Sequence, residues 1–235
     1  MEGTEDRVIQ VMLVDDHELI RRGFRTLLES VPGIEIAAEA ANGRQAVRAA
    51  TQRPDLDLIL MDIRMPDIDG IEAGRQILNN RRYPPWIVML TAYEQDDYLF
   101  KALKAGVSGF LLKNVGEAEL TSAIRTVAEG NAIISPEMTK RLLANFAITP
   151  LPPENGRPHA FQHLTERELE VLHQIALGRS NQRIAAAMQL TEATIKSHVS
   201  HLLIKLEVRD RAQAAFLAYE VGLVVPGAAQ RRDSK

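Results

Sequence analysis

Three aspartates, a threonine and a lysine are spaced so that they could do chemistry together. Asp15 and Asp16 follow the apolar run Ile9–Val14, Asp62 follows Leu56–Met61, Thr91 follows Trp86–Leu90, and Lys113 follows Phe110–Leu112. If each run is a strand of one parallel sheet, all five residues stand at strand C-terminal ends, where open α/β sheets bind ligands. Three carboxylates gathered there repel one another and raise at least one pKa unless a cation intervenes. Mg2+ suits such a place, because this hard ion takes a few carboxylates together with water and phosphate oxygens. A divalent ion, an ammonium and a hydroxyl around one carboxylate are the parts that stabilise in-line phosphoryl transfer onto it. One Asp at the start of a loop reads as a solvated residue; five residues closing four runs read as a site.

The elements that must hold these groups follow from the pattern between them. The apolar runs, with Ile34–Ala38 as the second of five, alternate with amphipathic stretches near 18–30, 43–52, 71–79, 97–105 and 117–129. Continuous apolar strands separated by helices predict a parallel sheet covered on both faces. Five such units predict an α/β domain of (βα)5 doubly wound, flavodoxin-like form over 7–130. Its first and third strands are expected to be neighbours, which brings the three acids together.

The whole chain has 235 residues, 28 Lys and Arg against 31 Asp and Glu, a formal charge of −3 and no cysteine. That length predicts one or two domains, and the lack of cysteine excludes disulfides, thiolate metal sites and thiol catalysis. No apolar run reaches the roughly 18 residues of a membrane span. The acidic stretch Met1–Asp6 lacks the apolar core of a signal peptide. A cytoplasmic protein with no membrane partner is expected. Charge is uneven: residues 1–130 hold 15 basic and 21 acidic side chains, whereas 159–226 hold seven of each.

Beyond the first domain the pattern changes. Ser135-Pro136-Glu137 predicts a short helix over 136–146, and four prolines between Thr149 and His159 predict a semi-rigid linker, so 131–160 reads as a connector. From 161 to 226 everything is helical in period. Thr165 and Glu168 form a capping box, with Leu164 and Leu169 as its staple. A short helix over 181–188, a tight turn at Gln189–Leu190 and a longer helix over 192–206 make a helix-turn-helix. Asp210 caps a last helix, and 227–235 is expected to be a disordered tail. On the long helix, Ile195, Val199, Leu202, Leu203 and Leu206 form one apolar stripe. The opposite face carries Ala193, Ser197, Ser200, His201 and Ile204, edged by lysines, a composition suited to a major groove with phosphates at its borders. His198 and His201 lie three apart, but with no third ligand nearby they read as structural or phosphate-directed residues.

Val14-Asp15-Asp16-His17, Met61-Asp62-Ile63-Arg64-Met65-Pro66, Leu90-Thr91-Ala92 and Leu111-Leu112-Lys113 resemble the motifs of bacterial response-regulator receiver domains. Ser180–Ala185 and Thr194–Val199 resemble the LuxR-type helix-turn-helix, and from Arg7 to Val225 the chain is similar to the NarL/FixJ family of response regulators. The resemblance implies that Asp62 is the phospho-acceptor and that Mg2+ is held by Asp15, Asp16, Asp62 and the Arg64 main-chain carbonyl. It implies phosphoryl contacts from Thr91 and Lys113, with Phe110 at the aromatic switch position, where many relatives carry Tyr. DNA contacts are implied for Thr194, Lys196, Ser197 and Ser200, with Lys205 near a phosphate. Ile204 departs from the pattern, because a basic residue is common there, and its role stays open between core, dimer interface and weakened DNA binding. His17 reads as a surface residue without chemistry.

The implied function is transcriptional control. A histidine kinase phosphorylates Asp62, which switches homodimerisation and sequence-specific binding to paired half-sites on double-stranded DNA, with RNA polymerase as a further partner. Enzymatic turnover is not expected beyond loss of the phosphoryl group from Asp62. An aspartyl-phosphate hydrolase of the haloacid dehalogenase type needs Asp-x-Asp at the first strand, and here His17 stands two beyond Asp15. The remaining alternative is a phosphorylation-independent DNA-binding regulator whose first domain only dimerises.

Overall fold

The computed structural model describes residues 7–80, 84–92, 101–130, 133–134 and 161–224. The chain divides into two compact units, Met1–Ser135 and Pro136–Lys235. The expected helix over 136–146, the proline-rich segment, the 227–235 tail and the start of the 97–105 helix lie outside the described residues.

The first unit is a parallel sheet with helices between its strands. In chain order it runs β1 (Ile9–Val14), α1 (Glu18–Glu29), β2 (Ile34–Ala40), α2 (Gly43–Gln52), β3 (Leu58–Asp62), α3 (Gly70–Asn79), β4 (Trp86–Thr91), β5 (Gly109–Leu112), α4 (Glu117–Ala128) and β6 (Ile133–Ile134). The sheet order is β2-β1-β3-β4-β5-β6. The (βα)5 doubly wound fold is therefore present, extended by a two-residue strand that pairs in parallel with β5 at Gly109 and Phe110. Two isoleucines are too short a run to be told from a helix start by periodicity, so this strand was not legible in the sequence.

Both faces of the sheet are buried, which is why its strands read as unbroken apolar runs rather than alternating ones. Val11, Leu13, Leu58, Leu60, Val88 and Leu90 pack with Phe24 and Leu28 of α1 and with Leu120, Ile124 and Val127 of α4. On the other side, Gly74 of α3 rests against Ile87 and Met89, where an added Cβ would meet their side chains at 3.4–3.5 Å. Polar caps set the helix starts: Asn42 accepts from the Gln45 N–H, and Asp69 accepts from the Glu72 N–H.

The second unit is all helical: α5 (Glu166–Ala176), α6 (Asn181–Met188), α7 (Glu192–Lys205) and α8 (Arg211–Glu220). The expected capping box is complete, with Thr165 and Glu168 bonding reciprocally. Gly178 ends α5 at φ +73°, and Gln189 makes the tight turn after α6 at φ +56°. A left-handed residue after a helix turns the chain sharply, and glycine adopts it without a Cβ clash. Ile195 and Leu202 of α7 are fully buried, as are Phe161, Val171 and Leu172 and, from α6, Ile184. From α8, the Tyr219 hydroxyl donates to the Ala176 carbonyl at the end of α5 at 2.7 Å.

Candidate functional site

The acidic pocket forms where β1, β3, β4 and β5 end. Register places Val14 beside Met61, and Met61 beside Met89, so Asp15 and Asp62 emerge next to each other from adjacent strands. Asp15, Asp62 and Thr91 are all buried. Lys113 follows β5, and its N–H donates to the Thr91 carbonyl at 2.8 Å. Its ammonium lies 2.6 Å from Asp15 Oδ2 and 3.0 Å from Asp62 Oδ2. One cation thus bridges two buried carboxylates. Phe110, beside Met89 in the sheet register, is fully buried.

Burial pushes the Asp62 pKa up, and the Asp15 charge adds to this, against hydrogen bonds from Lys113 and the Arg64 main-chain N–H; the net direction is upward. A raised pKa means that the carboxylate is held at a free-energy cost which a further cation would relieve. Asp15 Oδ2 is buried and makes an ion pair with Lys113 without a hydrogen bond's geometry. One ligand oxygen each from Asp15, Asp16 and Asp62, with a ring nitrogen of His17, lie within 4.8 Å of one another. Hard oxygens with an unsatisfied buried lone pair fit Mg2+.

Two supports of this pocket were not anticipated from sequence. Arg21, one turn into α1, donates from Nη1 to the Asp15 carbonyl at 2.8 Å and from Nε to Glu39 at 2.8 Å, which ties the Asp15-Asp16 loop to β2. Gly70 begins α3 so close to β3 that a Cβ there would lie 2.0 Å from the Asp62 carbonyl oxygen. Only glycine permits that approach. His17 is drawn in as well: its N–H donates to Asp15 Oδ1, and its Nδ1 lies 2.9 Å from Asp16 Oδ1. Its adjacency to the acid pair was the available signal.

The long helix α7 of the helix-turn-helix begins at Thr191, whose hydroxyl accepts from the Thr194 N–H and pairs with the Thr194 hydroxyl at 2.8 Å. Ala193, Lys196, Ser197, Ser200, His201 and Ile204 are exposed along it. Ser200 donates back to the Lys196 carbonyl at 3.0 Å. Lys196 is 69% exposed and lies 3.9 Å from Glu192, a loose surface pair. Ile204 is 75% exposed, which removes the core reading of that residue. Lys205, to which the resemblance gives a phosphate contact, is paired within the protein. Its ammonium donates to the buried Glu168 carboxylate at 2.7 Å, because the last turn of α7 passes the N-terminal turn of α5.

A parallel sheet with paired acids and a lysine at its carboxyl edge, followed by a helix-turn-helix unit, defines a receiver domain joined to a DNA-binding output domain. Residues 11–125 match the response regulator receiver domain family, and residues 162–218 match the bacterial regulatory proteins of the luxR family. The response regulator protein VraR of Staphylococcus aureus is 38% identical over 217 residues, which cover 92% of this chain and 99% of VraR. The crystal structure of the response regulator ChrA of a heme-sensing two-component system is 33% identical, with a TM-score of 0.50 over 92% of this chain and 98% of ChrA. An RcsB–DNA complex, at 23% identity and TM-score 0.52 over 90% of this chain and 98% of that one, shares the fold. The chain belongs to the NarL/FixJ family of response regulators. It is a two-component response regulator that controls transcription through a LuxR-type DNA-binding domain. Among the described residues, no helix is long and apolar enough to cross a membrane.

Proposed function

We propose that Asp62 accepts a phosphoryl group from a histidine kinase in the cytoplasm, and that this favours a homodimer binding paired DNA half-sites. The observation that carries this reading is the Lys113 ammonium held between Asp15 and Asp62. A charge poised there offsets the negative charge that develops as a carboxylate oxygen attacks phosphorus. Asp15, Asp16, Asp62 and the Arg64 main-chain carbonyl would hold Mg2+, which supplies further charge neutralisation on the phosphoryl oxygens. Thr91 offers a hydroxyl to the same group, and Phe110 repacks as Thr91 shifts. Only slow hydrolysis of the phospho-aspartate follows, so the domain acts as a switch rather than as a turnover enzyme. An intact pocket of this kind argues against a first domain that serves only for dimerisation.

On the DNA side, Thr194, Lys196, Ser197 and Ser200 are assigned to the groove, in a domain-by-domain division close to 7–130, 131–160 and 161–226, with RNA polymerase as a downstream partner. The domain over 159–226 has no net charge, and the first 130 residues are acidic. A single copy neutralises few phosphates, so tight binding requires two copies whose second contact becomes intramolecular. Titrating the full-length protein with beryllofluoride and Mg2+ should raise the dimer fraction in sedimentation and the DNA affinity together. Tight, steeply salt-dependent binding by a demonstrated monomer would overturn the proposal.

A further inference from the structure

We infer that Lys205 is a positioning residue for the reading helix and not a phosphate contact: seated on Glu168, it pins the C-terminal end of α7 to the capping turn of α5. The inference rests on the reading of α7 as the helix that enters DNA.

Glu168 does more than a capping box requires. Its Oε2 accepts from the Thr165 N–H at 2.7 Å, from the Thr165 hydroxyl at 2.9 Å and from Lys205 Nζ at 2.7 Å. The Glu168 side chain is 5% exposed and that of Lys205 37%, so the carboxylate is in the protein interior while the ammonium keeps one side toward water. Burial pushes the Glu168 pKa up, but the lysine and the two Thr165 donors outweigh it and hold the carboxyl below its usual range. The acid is therefore ionised at neutral pH and needs its counter-charge. If the Lys205 ammonium swung out to a phosphate, a buried charge would be stranded, and uncompensated charge in an interior is strongly destabilising. Among the described residues Lys196 has no such tie: its ammonium lies 3.9 Å from Glu192, and most of its side chain is in water. The two lysines thus differ in kind.

The pin matters because of where α7 is otherwise held. Ile195 and Leu202 are its two buried residues, with Val199, Leu203 and Leu206 half-buried along the same stripe, and these apolar contacts carry no directional bond to fix the helix lengthwise. The Glu168–Lys205 pair sits in the last turn, beyond Leu202, and fixes that end. Base-reading side chains placed by the pin lose register when it is removed, whereas attraction to DNA in general is kept.

The test uses the full-length protein with beryllofluoride and Mg2+, the duplex that the wild type enriches from random-sequence DNA, and a scrambled duplex of equal length. Variants are Lys205→Met, Lys205→Arg and Glu168→Gln/Lys205→Met, the last replacing both charges so that no buried ion is left alone. Affinities are measured from 50 to 200 mM salt, well below each variant's unfolding temperature. Both methionine variants should lose about tenfold in affinity for the enriched duplex, on the order of one misread base pair. They should keep wild-type affinity for the scrambled duplex and the wild-type salt slope, and Lys205→Arg should restore the preference. A slope shallower by about 0.9 per protomer would mean that Lys205 neutralises a phosphate, and would overturn the inference. Equal losses on both duplexes, or an unmoved preference, would overturn it as well. If the double variant does not fold, Lys205→Met and Lys205→Arg decide the matter by the same slope and ratio. A wild type that enriches no sequence would remove the DNA-reading assignment itself, an outcome distinct from enrichment with an unmoved ratio.

Discussion

In the first unit the functional groups are buried and paired, with 10% of the Lys113 side chain and 3–7% of its two carboxylate partners exposed. In the second, the face proposed to read DNA lies in solvent, and Lys196 keeps 69% of its side chain exposed. A pocket that moves a phosphoryl group must hold charges where water is scarce, because their mutual influence is strong there and weak in solvent. A surface that reads DNA must keep its groups available and let the partner supply the order. The pocket therefore carries its function as stored electrostatic tension, and the helix carries its own as a shape. Substitutions should separate the two: pocket changes move stability and chemistry together, while reading-face changes move recognition alone.

The largest effect is expected at Asp62. Asp62→Asn removes the attacking oxygen, so labelling by acetyl phosphate should vanish entirely; stoichiometric labelling of the variant in a mass spectrum would break the assignment. Next is Lys113→Met, which leaves two buried carboxylates facing each other. Without Mg2+ it should lose about 3 kcal/mol in urea unfolding, as buried pairs do when one partner is removed, and a loss below about 1 kcal/mol would show that the pocket is better solvated than its burial implies.

The pH dependence sharpens the contrast. Because the Asp62 pKa is raised, chiefly by burial, the folded state binds that proton more firmly than the unfolded chain does. Its contribution favours the fold below the ordinary carboxylate pKa and is lost as pH rises through the raised one. Asp62→Asn should therefore be more stable than wild type at neutral pH, with the gap closing as pH falls through the raised pKa and closed below about 4. A gap of constant size across that range, read from urea midpoints, would rule out titration of Asp62 as its source.

Smaller effects belong to the second unit. Tyr219→Phe gives up the hydrogen bond to the Ala176 carbonyl and should cost about 1 kcal/mol with DNA preference unchanged. Ser197→Ala and Ser200→Ala should stay within about 0.5 kcal/mol of wild type in stability, yet alter which duplexes are enriched from random DNA. If either serine variant melted early while reading the same sequences, the division between a tense pocket and a relaxed surface would fail.

Most of the fold and nearly all of the pocket were legible because their signals are local. An apolar run followed by Asp, a Thr-x-x-Glu capping box and a Gly after the last helical turn each state their structure within a few residues. The parallel sheet then brings such strand ends together by its own topology, so the pattern of runs alone places Asp15, Asp62 and Lys113 together. The roles of Arg21 and Gly70 and the pairing of Glu168 with Lys205 were not legible, since nothing adjacent to them signals what they touch. Gly70 looks like any helix-start glycine until the Asp62 carbonyl is seen 2.0 Å from where its Cβ would be. The lysines show the limit most plainly. In sequence, Lys196 and Lys205 are two cations on one helix, equally suited to a phosphate. Tertiary structure alone decided that one keeps only a loose surface pair with Glu192 and the other is held by a buried carboxylate 37 residues away. Charge and helical period can be read along the chain, but desolvation of an ion pair depends on which surfaces meet, and that is settled only when the helices pack.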